Sequence, residues 1–170
     1  MPAYFALATS VGVLAVLATW LFGLPISAEN NLQVWTAFIA WGCHFHSGGG
    51  TKGSTTTVAC MSWGALVGFG ATLLFQGPLA GLDTLAAPVA VGIGAALICL
   101  SSKVPLLATI PASVYGFAAI FGLLLLKPGM LDNPQATLLP IVISVIIGAA
   151  FGYVSEWLSG AITKKGADAS

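Results

Sequence analysis

Apolar segments of membrane-spanning length follow one another along nearly the whole chain, and most of the charged residues lie between them. Only 6% of the 170 residues are charged, and the mean hydropathy is +0.99. A soluble domain has about 25% charged residues, so five basic and five acidic side chains could not cover a globular surface. The chain is therefore expected to fold as an all-helical membrane protein, in which each helix satisfies its own backbone polar groups.

Six segments account for the length, since one span needs about 20 apolar residues. We place them at Tyr4–Leu24, Val34–His46, Thr55–Phe75, Thr84–Leu100, Pro105–Leu126 and Ala136–Ile162. The second is short, as expected of a half-helix or a tilted segment. The prediction is one polytopic transmembrane domain at residues 1–163 followed by a short cytoplasmic tail at residues 164–170.

The lysines indicate the orientation, because positive residues favour cytoplasmic loops. With the N-terminus inside, Lys52, Lys103, Lys164 and Lys165 are cytoplasmic and only Lys127 is outside. We therefore expect both termini to be cytoplasmic. This distribution of the lysines no longer holds if the second segment does not cross the membrane. No basic residue precedes the first apolar segment, so it is interpreted as a retained helix and not as a signal peptide.

The two halves of the chain each hold three segments. If the halves are copies of one unit, the second has an inverted orientation in the membrane, because three crossings is an odd number. The middle segment of each half has an anomaly: the short second helix ends near His46, and Ile110-Pro111 interrupts the fifth. The third segments share a glycine spacing, Gly64 with Gly68 and Gly148 with Gly152. Interrupted helices at matching places indicate a transport site. One interpretation of this pattern is therefore a 3+3 inverted repeat with interrupted second and fifth helices.

The polar turn between the second and third segments holds both histidines and four glycines. Cys43, His44 and His46 are potential ligands for a soft metal. His44 and His46 cannot share a helix face, however, and would point the same way only in extended backbone. Three adjacent ligands without a distant fourth give a weak metal signal. Lining of a solute pathway and simple solvation at the interface are the alternatives, and we predict neither a metal nor another cofactor.

The glycine run does not predict nucleotide binding, because a phosphate loop needs a lysine directly before Ser or Thr, and Lys52 precedes Gly53. The serine and threonines after it are expected to cap the third helix. No catalytic set and no basic patch is evident, so we predict that the protein is not an enzyme and has no nucleic-acid partner.

Two further features lie inside the predicted spans. Pro111 would free backbone groups in the fifth segment, and neighbouring polar side chains or a solute would have to satisfy them. An ordinary proline kink is the alternative. Glu156 is the only acid inside a span, where it either extends to the interface or stays buried and takes up a proton.

These features favour a membrane channel or facilitator for a small neutral or weakly ionised polar solute. The predicted pathway residues are Trp41, His44, His46, Thr109, Pro111, Ser113 and Tyr115. One alternative is a non-transporting membrane subunit or scaffold. A second is a metal-handling membrane protein that uses Cys43, His44 and His46. The expected partners are the lipid bilayer, the solute and further copies of the chain, because six short helices enclose little space.

Two stretches, Trp41 to Gly53 and Ile110 to Ala118, resemble a family of small bacterial inner-membrane proteins known only as domain of unknown function 1097. The resemblance implies a multi-pass protein of the bacterial inner membrane and implies no activity. The break at Ile110-Pro111 is also similar to the broken helices of urea and other small-solute channels. Likeness of fold does not by itself establish function.

Overall fold

A computed structural model describes the backbone of residues 2–167 and the side chains of residues 2–163. Every regular element within residues 2–167 is helical, which confirms the all-helical prediction. The α-helices are α1 (Ala3–Phe22), α2 (Pro25–Glu29), α3 (Val34–His46), α4 (Gly50–Gln76), α5 (Ala86–Ser101), α6 (Ile110–Leu126) and α7 (Leu138–Ala167). Short 3-10 turns at Ala80–Leu85, Pro105–Leu107 and Pro134–Ala136 precede α5, α6 and α7.

Four helical stretches in the described part of the chain are long and apolar enough to cross a membrane. They are Ala3–Phe22, Gly50–Gln76, Ala80–Ser101 and Pro134–Thr163. The apolar α6 has only 17 residues and α3 only 13. At 1.5 Å per residue, α3 is about 20 Å long, against about 30 Å for the hydrocarbon core. The predicted count of six spans therefore depends on these two short helices.

The two outer helices each bury one narrow stripe. In α1 the buried residues are Ala6, Ser10, Leu14 and Ala18, and in α5 they are Ala86, Ala90, Gly94 and Ile98. A four-residue spacing places each set on one helix face. α1 packs on α7, and α5 packs on α4. Their remaining surfaces are apolar and largely exposed, as suits contact with lipid.

The inner four helices form the core through close backbone approaches. α4 packs most extensively on α6, and α3 on α7, while α4 and α7 join the two pairs. A Cβ atom added at Gly64 would overlap the Ser113 carbonyl, and one added at Gly148 would overlap the Ala37 carbonyl. Small residues allow such contacts in membrane bundles, where lipid supplies no hydrophobic force between helices.

The start of α4 differs from the prediction. The helix begins at Gly50 instead of Thr55, after a turn in which Gly48 and Gly49 have φ of 98° and 68°. Gly49 is the N-cap, and no side chain caps the helix. The serine and threonines at 54–57 lie inside the helix, so the capping role expected for them is wrong. Glycine makes the tight turn possible because it tolerates positive φ.

The fifth segment also differs. It divides into the 3-10 turn Pro105–Leu107, two irregular residues, and α6, which begins at Ile110. Pro111 is the second residue of that helix, where its missing N–H removes no helical hydrogen bond. The alternative of an ordinary proline kink inside one longer helix is therefore wrong, because the segment is divided before Ile110. At the other end, α7 continues to Ala167, beyond the predicted Ile162, and residues 168–170 of the predicted tail lie outside the described residues.

Candidate functional site

Two polar features lie near the α3–α4 turn, one on each side of α3. The first, which we call the His44 cluster, comprises His44, Ser54, Glu156 and the backbone of Gly49 and Gly50. The His44 side chain is completely buried. Its Nδ1 lies 3.0 Å from Ser54 Oγ, and its Nε2 lies 3.0 Å from Glu156 Oε2. The cluster thus links α3, α4 and α7.

Glycines leave the space for this imidazole. A Cβ atom at Gly152 would lie 2.7 Å from the Cβ of His44, and one at Gly53 would lie 2.5 Å from its carbonyl oxygen. The α3–α4 turn continues the arrangement, because the Gly49 N–H donates to the same carbonyl at 3.0 Å. The histidine is therefore held on both its side chain and its backbone.

Glu156 ties α7 to the first turn of α4. Its Oε2 accepts the Gly50 N–H at 2.6 Å as well as the His44 Nε2 proton. The first N–H groups of a helix have no intrahelical partner and form the positive end of its dipole. Both features favour an ionised carboxylate. With Nε2 as the donor to Glu156, Nδ1 accepts the Ser54 hydroxyl proton, an assignment inferred from the hydrogen-bond network.

The Glu156 side chain is 46% exposed and faces an open cleft of about 410 Å³. The cleft is lined by Gly50, Tyr153, Glu156, Trp157, Gly160 and Ala161. Tyr153 and Trp157 are both exposed, one helical turn apart. Glu156 Oε1 has no hydrogen-bond donor among the side chains and backbone that the structure describes. The sequence marked Glu156 as unusual but gave no sign that it meets His44.

Trp41 lies one turn before His44, on the face of α3 that packs against α7. It is 4% exposed, its Nε1 donates to Ser155 Oγ at 2.9 Å, and its ring stacks on Phe151 at 5.3 Å. Trp41 and His44 thus dock α3 on α7 with their polar atoms paired. Ser54 was expected to cap a helix and instead contacts His44. No sequence signal marks Ser155, because its partner Trp41 lies 114 residues away.

The other predicted pathway residues form a second group, on the opposite side of α3. The exposed His46 ring lies 6.2 Å from the ring of Tyr115, in the second turn of α6. Thr109 caps the start of α6, and Pro111 is exposed in its first turn. Ser113 is fully buried against α4. The end of α3 and the start of α6 therefore meet, while Trp41 and His44 face away from them.

The Ser113 hydroxyl is buried without a hydrogen-bond partner. Its polar neighbour is the Cys60 thiol, which donates to the Leu106 carbonyl at 3.4 Å and is a weak acceptor. The hydroxyls of Thr36, Thr57 and Ser62 are also without partners. Most buried polar side chains are hydrogen-bonded, so each of these four hydroxyls calls for an explanation. The sequence predicted a role for Ser113 but missed the three others.

The arrangement does not support the metal alternative. Within the described residues, no group of three or more His, Cys, Asp or Glu side chains could hold an ion. The helix continues to His46, so the two histidines point to different sides as helical spacing requires. The Cys43 sulfur lies 3.7 Å from the hydroxyl of Ser47, one helical turn later, and is not hydrogen-bonded to a ring nitrogen of either histidine. The three proposed ligands therefore do not converge.

Comparison with known proteins identifies a family and no activity. No curated protein and no solved structure matches the chain. A family described as "Protein of unknown function (DUF1097)" matches residues 8–160, which is most of the length, in agreement with the resemblance seen in the sequence. The chain belongs to the DUF1097 family.

Proposed function

We propose that this protein is a membrane facilitator for a small neutral or weakly ionised polar solute. The observation that carries the proposal is the unpartnered Ser113 hydroxyl at the contact between α4 and α6. Leaving a buried hydroxyl without a partner costs about 1–3 kcal/mol, and no water is present in the bilayer core to compensate. A transient polar solute would satisfy the hydroxyl.

The entrance would lie where α3 ends, with His46 and Tyr115 flanking it. Beyond them the seam between α4 and α6 is closed, because Gly64 packs on the Ser113 backbone and Gly116 on the Met61 backbone. Passage therefore requires α6 to separate from α4. Such a movement is typical of a facilitator that opens and closes, and it is not expected of a permanently open pore.

An inverted repeat of three segments is part of the proposal, and the helix contacts support it. α1 packs on α7 as α5 packs on α4, and α3 packs on α7 as α6 packs on α4. The repeat predicts these matched pairs if α1, α3 and α4 correspond to α5, α6 and α7. The glycines at helix crossings correspond as well: Gly64 meets Ser113 as Gly148 meets Ala37.

The irregular backbone also corresponds between the halves. Two residues without regular structure precede α3, and two precede α6. Before α3, the Gln33 N–H donates to Ser144 Oγ of α7 at 2.9 Å. Before α6, Thr109 faces Cys60 of α4. The sequence matched the end of the second helix with Pro111, whereas these contacts match the beginnings of the two short helices.

Helix directions support six crossings with both termini on the cytoplasmic side. Gly64 and Gly68 of α4 meet Ser113 and Phe117 of α6 in the same order, so these helices run in the same direction. α5 lies between them in the chain, and its crossing would return the chain to the side where α4 began. Six crossings and the lysine distribution together favour a cytoplasmic location for both ends. Assembly as a homo-oligomer remains part of the proposal.

Flux through reconstituted liposomes tests the function. We expect protein-dependent permeation of at least one member of a panel of small amides, ammonia, weak acids and glycerol. Ser113→Ala should lower that flux while leaving stability unchanged or slightly raised, because it removes an unpaired buried hydroxyl. Ser10→Ala is the matched control, since that buried hydroxyl is already bonded to the Ala6 carbonyl. No permeation of any panel member would favour the alternative of a non-transporting subunit.

A further inference from the structure

We propose that the cleft beside Glu156 binds the ammonium group of a small organic amine. The cleft combines one ionised carboxylate with two exposed aromatic rings, and the paired residues described above do not use its free oxygen. The proposal does not depend on the solute pathway, because the cleft lies on the α7 side of α3 and its test measures binding and not flux.

Charge is the first argument. Glu156 Oε2 is fixed by the Gly50 N–H and His44, so the carboxylate does not need to reorganise when a ligand arrives. Oε1 is left without a donor in the described residues. A primary ammonium donates a charge-assisted hydrogen bond to a carboxylate, about twice as strong as a neutral one, whereas a quaternary ammonium is attracted by charge alone. A fixed carboxylate with one free oxygen is therefore suited to an N–H donor or a cation.

The aromatic rings are the second argument. Tyr153 and Trp157 line the cleft on either side of Glu156 along α7. A cation held near the face of a tryptophan or tyrosine is attracted by the ring quadrupole, and such residues commonly recognise quaternary ammonium groups. Exposed aromatic residues are also common at a membrane interface. An ionised side chain placed between two of them is not explained by anchoring.

Space is the third argument. Gly160 has no atom within 4 Å of where a Cβ would lie, so the cleft stays open next to Trp157. Its volume of about 410 Å³ lies in the range of about 300–1,000 Å³ that is usual for small-molecule pockets. The ligand is therefore a compact amine such as ethanolamine or choline, either free or as the headgroup of a lipid.

The test is calorimetric titration of choline into the full-length protein in nanodiscs of phosphatidylglycerol, a lipid without an amine. We expect saturable binding of choline and none of 3,3-dimethylbutan-1-ol, which has the same shape and no charge. Glu156→Gln should weaken binding of choline about 10-fold or more, because the quaternary ammonium loses its ionic contact with the carboxylate. Trp157→Leu should weaken it by about 2- to 5-fold, as expected for a cation–π contact at an exposed site.

Glu29→Gln is the matched control, because it removes the same charge from a different, exposed site and should leave binding unchanged. Thermal unfolding would show whether each variant is folded, and Trp157→Leu keeps the proposal testable if Glu156→Gln is not. Equal binding of the neutral alcohol, absence of choline binding, or unchanged affinity in both cleft variants would overturn the proposal.

A repeat in phosphatidylcholine nanodiscs distinguishes the two sources of the amine. A weaker apparent affinity for free choline would show that the lipid headgroup competes for the cleft. An unchanged affinity would assign the cleft to a free amine. Either result supports ammonium binding, provided that binding of choline to Glu156→Gln stays weak in both lipids.

Discussion

Two histidines only two residues apart have different surroundings because α3 remains helical through both. The buried His44 has a partner on each ring nitrogen, whereas His46 is exposed and contacts Tyr115. The glycines of the following turn decide the first of these environments. Gly49 combines φ of 68° with ψ of −172°, a region that only glycine adopts readily.

At the scale of single residues, we predict that Gly49→Ala is more damaging than Gly48→Ala. Both positions have positive φ, but a Cβ at Gly49 would lie 2.8 Å from Glu156 Oε1, while one at Gly48 meets nothing within 4 Å. Gly49→Ala should therefore lose about 1–3 kcal/mol for strain and about 1 kcal/mol more for displacing the carboxylate from Gly50 and His44. Unfolding in detergent measures both variants, and equal losses would contradict the role assigned to the carboxylate.

At the scale of helices, the crossings depend on glycines that allow one backbone to touch another. Gly64 and Gly68 of α4 meet α6, and Gly148 and Gly152 of α7 meet α3. Other helical glycines make no such contact: a Cβ atom added at Gly12, Gly42 or Gly70 would have nothing within 4 Å. Position at a crossing, and not glycine content, therefore determines which of them matter.

We expect Gly64→Ala and Gly148→Ala to destabilise the bundle by similar amounts. The added methyl groups overlap carbonyl groups of α6 and α3, and overpacking of this kind typically costs about 1–3 kcal/mol. Gly70→Ala is the control on α4 and should cause no loss, because the space beside it is open. The melting temperature in detergent reports the difference. A large loss for one crossing and none for the other would argue against equivalent roles in a repeat.

At the scale of the whole molecule, the four inner helices form a core. The outer helix α1 packs on α7, and the outer helix α5 packs on α4. The proposed inverted repeat would relate the two halves, and it needs α3 and α6 to cross the membrane although both are short. In this proposal, the irregular backbone before each short helix supplies the remaining length. Irregular backbone is tolerated at membrane depth where it packs against protein, and the Gln33 N–H is bonded to Ser144 of α7.

The proposed six crossings predict which loops face each side of the membrane. In a cysteine-free background expressed in a bacterial host, Lys127→Cys should react with a membrane-impermeant maleimide in intact cells, and Lys103→Cys should react only after lysis. Both positions lie outside the long α-helices. Lys127→Cys also removes hydrogen bonds from Lys127 Nζ to the Ala28 carbonyl and to Asn31, so thermal unfolding must show that this variant is folded. Labelling of Lys103→Cys in intact cells would mean that the number of crossings or the orientation is wrong.

Much of the architecture could be predicted locally. The end of α3 at His46, the absence of strands from residues 2–167 and the proline near the start of α5 follow from apolar runs and from residues that stop helices. The start of α4 at Gly50 could not be predicted, because glycines usually favour the turn over the helix. The position of Pro111 in a first turn was equally ambiguous, since proline either kinks a helix or begins one.

The sequence by itself determined that this chain is helical and apolar enough to cross a membrane, because its apolar segments are long and its charged residues are scarce. Only the tertiary structure decided which polar groups are paired. His44 is hydrogen-bonded to Glu156 across 112 residues, while the Ser113 hydroxyl, which is as deeply buried as His44, has no hydrogen bond. Those outcomes depend on where glycines let helices cross, and a crossing is a property of two distant surfaces that neither segment specifies alone.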